Sequence, residues 1–344
     1  MAHWCLSWNW HKVYRVLGVF PVFFTLGLLG WSIEVFFATV LPAIRDRGPV
    51  HAWLWGPVLT GLWLLSVWSY GVCVMRDPGH TLVRRPTVSS HGGTDRTPYI
   101  RVRGSEVSPS PRRRRADSVG SNSSDDSDFG GRLTGEQLRQ AELIQCITAT
   151  DGGQPRYCQK CNAAKPDRAH HCSSCGVCVL RFDHHCPWLN SCVGHHTQKP
   201  FLLFLGYTSV YTTALGGLTL WYYMYRMVLE KMGDISIECL FMMCLTLAFA
   251  AALWGFTAFH CYLTLNNLTT FESYVSNKYR VPGAAKGVQP GDVNLFDLGW
   301  RRNLRQVFGP SRRLWFFPVS TSAGDGLRYP INIDAYNELQ RTVD

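Results

Sequence analysis

The stretch Arg156–Gly194 reads RYCQKCNAAKPDRAHHCSSCGVCVLRFDHHCPWLNSCVG and holds seven of the chain's thirteen cysteines. Two C-x-x-C pairs, Cys158/Cys161 and Cys172/Cys175, precede Cys178, Cys186 and Cys192, with His170, His171, His184 and His185 interleaved. C-x-x-C is the short loop that lets two thiolates share one tetrahedral zinc ion, and imidazole is the other common ligand. Six cysteines and two histidines supply eight ligands, enough for two closed sites. Cys186 is then left over. It stands in Asp183-His184-His185-Cys186, beside a carboxylate and two imidazoles, an environment that activates a thiol. A zinc scaffold with a spare nucleophile is the reading the rest of the chain has to accommodate.

Outside this stretch lie four apolar runs, near Val16–Phe37, Trp53–Met75, Phe201–Tyr225 and Cys239–Leu263. Each is about 20 residues or longer, enough to cross a hydrocarbon core of roughly 30 Å, with Trp and Tyr gathered towards the ends. The fold class that follows is an α-helical integral membrane protein. Its four transmembrane helices carry a small cytosolic two-zinc cysteine-rich domain between the second and third spans. The first run is too long for a cleavable signal and lacks a small-residue cleavage site, so it reads as an anchor.

Charge sets the orientation. Arg76–Lys199 carries 18 Lys/Arg and the tail after Leu263 carries 10, against two each around Arg45–Arg47 and Arg226–Lys231. Positive-inside logic puts both termini and the cysteine-rich segment in the cytosol. The expected boundaries are a cytosolic N-terminus (1–15), spans at 16–37 and 53–75 joined by a lumenal loop (38–52), and a cytosolic linker (76–155). The zinc domain (156–200) follows, then spans at 201–225 and 239–263 around a lumenal loop (226–238), and a cytosolic tail (264–344). In a reducing cytosol clustered thiols are ligands or catalysts rather than disulfides. The net charge of +10 suits a surface facing the lipid bilayer. Without basic repeats interleaved with aromatics it does not indicate nucleic acid.

Gly79–Gly153 is rich in Ser, Gly, Arg and Pro and buries too little apolar surface to offset its ordering entropy, so most of it is expected to be disordered. Within it Arg112–Arg115 precede Ser118 and a Ser/Asp cluster at Ser121–Asp128. This is either a solvated linker or a phosphorylatable one drawn to anionic lipids. Gly131–Ile147 has an N-cap at Thr134 and is expected to form a short helix. Neither the zinc module nor the tail shows a large core of its own, so metal binding is expected to supply much of the module's folding energy.

Asp183–Cys186, set in this cysteine pattern and between four spans, resembles the signature of the DHHC protein S-acyltransferases, the palmitoyltransferases of eukaryotic membranes. Asp77-Pro78-Gly79 after the second span is similar to the family's DPG motif, and Thr269-Thr270-Phe271-Glu272 after the fourth matches its TTxE motif. Asn303 with Phe308-Gly309 resembles its C-terminal motif. The resemblance covers most of the chain outside Gly79–Gly153, and the compact four-span body is similar to fungal vacuolar members.

The resemblance implies two interleaved zinc sites, one of Cys158, Cys161, His171 and Cys178 and the other of Cys172, Cys175, His185 and Cys192. Spacing alone leaves His170 as a competitor of His171. It also implies transfer of a palmitoyl group from palmitoyl-CoA, through an acyl-Cys186 intermediate, to cytosolic cysteines of membrane-associated proteins. His184 would take the proton of Cys186 while Asp183 orients the imidazole. Trp188 is expected near the mouth of an acyl cavity among the spans, with Ser32 and Tyr211 at its closed end; ordinary helix packing is the other reading of that pair. Glu34 is expected near the lumenal interface without a catalytic role, and the host membrane is expected to be an endomembrane: vacuole, Golgi or ER. Asn190-Ser191 and Thr197 stand where the family often has Asn-Asn and Asn. The competing readings are a non-catalytic zinc-organised adaptor and a ubiquitin ligase, and the latter's RING-like spacing would leave no spare cysteine.

Overall fold

The computed structural model describes residues 17–83, 100–102, 147–153, 156–161, 163–229, 236–289 and 293–343. The Arg112–Asp128 stretch and residues 131–146 of the expected short helix, Thr134 included, lie outside the described residues.

Among the described residues, four helices are long and apolar enough to cross a membrane: Val19–Asp46, Val50–Met75, Gln198–Met227 and Ile237–Leu265. The first comprises α1 (Val19–Val35), a π-helical stretch (Phe36–Val40) and α2 (Leu41–Arg47). It continues past Phe37 because Val40, Leu41 and Ile44 extend the face that packs into the core. Gly48, in extended backbone, breaks it, and Pro49 opens α3 (Pro49–Met75), where a missing N–H costs nothing. Helices α4 (Gln198–Leu229) and α5 (Ile237–Leu265) form the second half. Their inner faces bury Leu29, Phe36, Leu59, Tyr211, Leu215 and Met242 together. Phe20, Phe23, Trp53 and Phe241 stay exposed on the outer faces, as helices that are apolar all round require in lipid. A Cβ on Gly216 would lie 3.0 Å from Leu247 and 3.1 Å from Thr246, so the small residue sets how closely α4 and α5 approach.

Between the two halves the described residues include four short antiparallel strand pairs: β1 (Thr81–Val83) with β2 (Ile100–Val102), β3 (Tyr157–Cys158) with β4 (Ala163–Ala164), β5 (His170–Cys172) with β6 (Val177–Val179), and β7 (His184–Cys186) with β8 (Ser191–Val193). Strands of two or three residues bury little. The Asp77–Gly79 turn fastens these hairpins to the end of α3. Asp77 Oδ1 accepts from Gly79 N at 2.8 Å, the Gly79 carbonyl accepts from Leu180 N at 2.8 Å, and the Pro78 carbonyl accepts from His196 N at 3.2 Å. Gly79 has φ +98°, and a Cβ there would meet the His196 ring at 3.3 Å.

The tail folds as a small lobe with α6 (Thr270–Tyr274), α7 (Trp300–Phe308) and α8 (Ile333–Arg341). Tyr279, Leu295, Phe296, Ile333 and Tyr336 form its core, joined by Ile147 from the far side of the zinc module. Asp167 holds that incoming strand by accepting from the backbone N–H groups of Ile147 and Thr148 at 3.0 and 2.9 Å. Asn303 fastens the lobe to the membrane body. Its Nδ2 donates to the Leu265 carbonyl at the end of α5 at 2.6 Å, satisfying one of the acceptors a helix C-terminus leaves open. Gly309 closes α7 with φ +85°, where a Cβ would lie 2.2 Å from the Thr321 carbonyl oxygen. Gly309→Ala is expected to destabilise the lobe by more than the ~1 kcal/mol of an ordinary glycine substitution. Gly217→Ala, with open space around it, serves as the control. Thermal unfolding of the two detergent-purified variants checks this, and equal midpoints would contradict it.

Candidate functional site

The hairpin registers bring the cysteines and histidines into two quartets. In β5/β6, His171 stands opposite Cys178; in β7/β8, His185 stands opposite Cys192. Each opposed pair shares a face with a C-x-x-C turn. One atom each from Cys158, Cys161, His171 and Cys178 gathers within 4.8 Å, and the same holds for Cys172, Cys175, His185 and Cys192. His171 Nδ1 is 3.6, 3.2 and 4.0 Å from the sulfurs of Cys158, Cys161 and Cys178; His185 Nδ1 is 3.6, 3.4 and 3.6 Å from those of Cys172, Cys175 and Cys192. Zinc bonds of about 2.3 Å to sulfur and 2.0 Å to nitrogen, at tetrahedral angles, put S and N roughly 3.5 Å apart. Either quartet can hold such an ion. His170 points elsewhere, its ring packed at a tilt against Phe271 with centroids 4.0 Å apart. Burial and the neighbouring Arg156 push its pKa down to about 3, so it stays neutral. Thr197 is buried against the second quartet, accepting from Gly194 N at 3.0 Å and donating to the Cys192 carbonyl at 3.1 Å.

Strand alternation then separates the three residues of β7. Neighbours on a strand point to opposite faces, so His185 turns to its quartet while His184 and Cys186 share the other face. His184 Nδ1 donates to Asp183 Oδ2 at 2.6 Å, and the same imidazole hydrogen-bonds Cys186. Burial opposes the charge of His184, but the bonds to Asp183 and Cys186 outweigh it and push its pKa up to about 9. Burial likewise opposes the charge of Asp183. The bond from His184 and the Thr270 N–H nevertheless hold its carboxyl below the usual range. Thr270 clamps that carboxylate twice, from N to Oδ1 at 2.9 Å and from Oγ1 to Oδ2 at 2.7 Å.

Cys186 lines an apolar cavity of about 240 Å³ among the spans. Trp188, 54% exposed, borders it, and its carbonyl accepts from Tyr70 Oη of α3 at 2.6 Å. Ser32 and Tyr211 also line the cavity and hydrogen-bond one another at 2.9 Å, linking α1 to α4. Tyr211 lies ten residues beyond Phe201, about 15 Å along the helix axis.

The Thr269–Glu272 segment is a complete capping box. Thr269 Oγ1 accepts from Glu272 N at 3.2 Å and Glu272 Oε2 accepts from Thr269 N at 3.0 Å. Glu272 also takes a two-pronged bond from the buried Arg168, Nε to Oε1 at 2.8 Å and Nη2 to Oε2 at 2.6 Å. Arg168 further donates to the side chain and carbonyl of Asn267, both at 2.8 Å, and Arg181 donates to the same side-chain oxygen at 2.8 Å. Burial opposes the Glu272 charge, and Arg168 outweighs it, holding the carboxyl below its usual range. Arg168, Arg181, Asn267 and Tyr70 were not singled out from the sequence. A lone arginine or asparagine carries no local pattern, and the partners stand 86 to 118 residues apart.

A family model described as DHHC palmitoyltransferase matches residues 152–277. The chain is 41% identical to palmitoyltransferase ZDHHC15 of Xenopus laevis over 56% of its own length and 55% of that protein's. It is 30% identical to human palmitoyltransferase ZDHHC20 over its full length and 84% of that protein. It is 36% identical to palmitoyltransferase PFA3 of Yarrowia lipolytica over 59% of its length and 56% of that relative's.

Breaking the buried Arg168–Glu272 pair leaves an uncompensated charge. Glu272→Ala is therefore expected to cost about 3–5 kcal/mol, with Glu272→Gln between it and the native chain. An unfolding midpoint unchanged in Glu272→Ala would remove the pair from the fold's supports.

Proposed function

The chain belongs to the DHHC palmitoyltransferase family and is a multi-pass membrane protein S-palmitoyltransferase, and we propose that it works through Cys186, with palmitoyl-CoA as donor. One observation carries this reading. The thiol of Cys186 lines an apolar cavity on one side and hydrogen-bonds the His184–Asp183 pair on the other. An imidazolium held against a thiol favours the thiolate, which is the nucleophilic form.

The Cys186 thiolate attacks the thioester carbonyl carbon of palmitoyl-CoA. A new S–C bond forms, the CoA S–C bond breaks, and the departing CoA thiolate takes the proton from His184. A substrate cysteine then gives its proton to the now neutral His184 and attacks acyl-Cys186, restoring the thiolate–imidazolium pair. Both steps exchange one thioester for another, so little free energy separates them. Asp183 holds the Nδ1–H of His184 throughout, leaving the other ring nitrogen for the moving proton. The two Cys₃His quartets suit zinc by donor type and spacing, and in this role the ions fasten the hairpins without touching substrate.

The membrane supplies the donor. Each buried CH₂ favours lipid by about 0.8 kcal/mol, so the acyl chain of palmitoyl-CoA enters the cavity from the bilayer while its anionic head stays on the basic side. Trp188 borders the mouth and the Ser32–Tyr211 pair closes the far end. With the basic segments inside, both termini and the cysteine-rich domain face the cytosol, the donor is cytosolic acyl-CoA, and the acceptors are cytosolic cysteines of membrane-associated proteins on an endomembrane.

Cys186→Ser is expected to lose the hydroxylamine-labile acyl adduct formed with labelled palmitoyl-CoA while keeping about two zinc ions per chain. Retention of the adduct would sink the assignment. His184→Ala is expected to slow acylation by roughly 10²–10⁴-fold at pH 7. The wild-type rate should vary little between pH 7 and 8.5, below the His184 value of about 9. The variant, with no base beside its attacking sulfur, should instead gain rate as pH rises across the same range. Parallel pH profiles would show that His184 does not hold the proton.

Tyr211→Ala opens the far end of the cavity, so preference should move from C16 towards C18 acyl-CoA. Each methylene is worth about 1–3 kcal/mol of discrimination in an apolar pocket. Competition between acyl-CoAs reads this, and an unchanged ratio in an active variant would place the end of the cavity elsewhere.

A further inference from the structure

His260, on α5, takes no part in the mechanism above. It is 2% exposed and packs edge-on against Phe201 and Phe256, with centroids 5.0 and 4.6 Å apart. Its Nε2 is buried without a hydrogen-bond partner among the described residues. Buried polar atoms are rarely left so, because desolvation is then uncompensated. Its ring centroid is 5.8 Å from that of His184, and one ligand atom each from Asp183, His184 and His260 lies within 4.8 Å of the others. Asp183 accepts three hydrogen bonds, two from Thr270 and one from His184. A carboxylate has about four acceptor positions, so one remains open.

We infer that Asp183, His184 and His260 form a third cation site, separate from the two sulfur-rich quartets, at which a divalent zinc-class ion binds and blocks acylation. Two imidazoles and a carboxylate suit a borderline cation and leave a fourth position for water. With no thiolate in the donor set, this ion is held less tightly than those in Cys₃His quartets, as an exchangeable regulatory ion must be. The two nearest donor atoms, His184 Nδ1 and Asp183 Oδ2, share one proton across 2.6 Å. A cation drawn in by the three groups takes the place of that proton. His184 is then bound to a dication instead of the Asp183 carboxylate, and the Asp183–His184 contact that orients the imidazole towards Cys186 is broken. The inhibition rests on the role given to His184 above; the binding does not.

The test uses the full chain, purified with its structural metal and titrated with zinc chloride in a metal-buffered solution. Bound zinc and acyl-adduct formation are measured on the same samples, with each variant scaled to its own rate at zero added zinc. The wild-type chain should take up a third equivalent and lose acylation as it does so. His260→Gln and His260→Asn should keep two equivalents, which also certifies their folding, and need at least about tenfold more zinc for half-inhibition, the usual scale for a lost supporting ligand. A third equivalent retained in both variants, or equal half-inhibition in all three proteins, overturns the inference. A wild-type chain that forms no adduct at any zinc concentration speaks against the proposed function instead, and the zinc count still reads the site.

Discussion

The Arg168–Glu272 ion pair is the constraint on which the active geometry depends. It joins a loop of the zinc module to the first turn after the fourth span, both partners buried. Removing two charges from water is expensive, and such a pair often contributes less than a well-packed apolar contact would. Its value here is register. Glu272 is at once the third residue of a capping box and the receiver of a two-pronged guanidinium, so it fixes where α6 begins. That start places the N–H and hydroxyl of Thr270 on Asp183. Asp183 in turn fixes which nitrogen of His184 carries a proton. A four-residue motif remote in sequence from Cys186 thereby sets the chemistry of its neighbour.

The same region has little apolar core of its own. Strands of two and three residues cannot bury a core, and the apolar residues they contribute amount to small clusters around Leu180 and Val179. The quartets interleave, so that adjacent residues His171 and Cys172 serve different ones. Each hairpin is thus tied to its neighbour as well as closed on itself. Asn267 completes the framework from the membrane side. With φ +50°, it turns the chain sharply beyond α5 and presents both its oxygens to the arginines, while its Nδ2 donates to the Phe296 carbonyl at 2.6 Å.

Much of this was legible in the sequence. Four apolar runs and a cysteine cluster between the second and third define the architecture, because span length and ligand spacing are local properties. The choice between His170 and His171 was not legible, since adjacent residues satisfy any spacing rule equally. Hairpin register decides it by setting His171 across from Cys178. The first helix runs on to Arg47 because its inward face stays apolar, which a hydropathy window read only to Phe37. The arginines and Asn267 escaped notice for a different reason: their partners come from other parts of the chain, and nothing near them in sequence announces a buried network. His260 reads as one more residue of an apolar helix until the ring of His184 is found beside it.

A thiolate and a lipid chain make opposite demands on their surroundings, and strand alternation reconciles them. On β7 the side chains of His184 and Cys186 face the spans while His185 faces the metal quartet. Polar support reaches the pair through Asp183, Thr270 and the arginine cluster behind them. The cavity wall on the other side is mainly Leu, Phe and Trp, with a few hydroxyl-bearing side chains such as Ser32 and Tyr211. Cys186 itself is 7% exposed, so its nearest polar neighbour is the His184 imidazole on the same face of β7 rather than bulk water. A sulfur buried on this face is shielded from water, which suits the acyl intermediate proposed above.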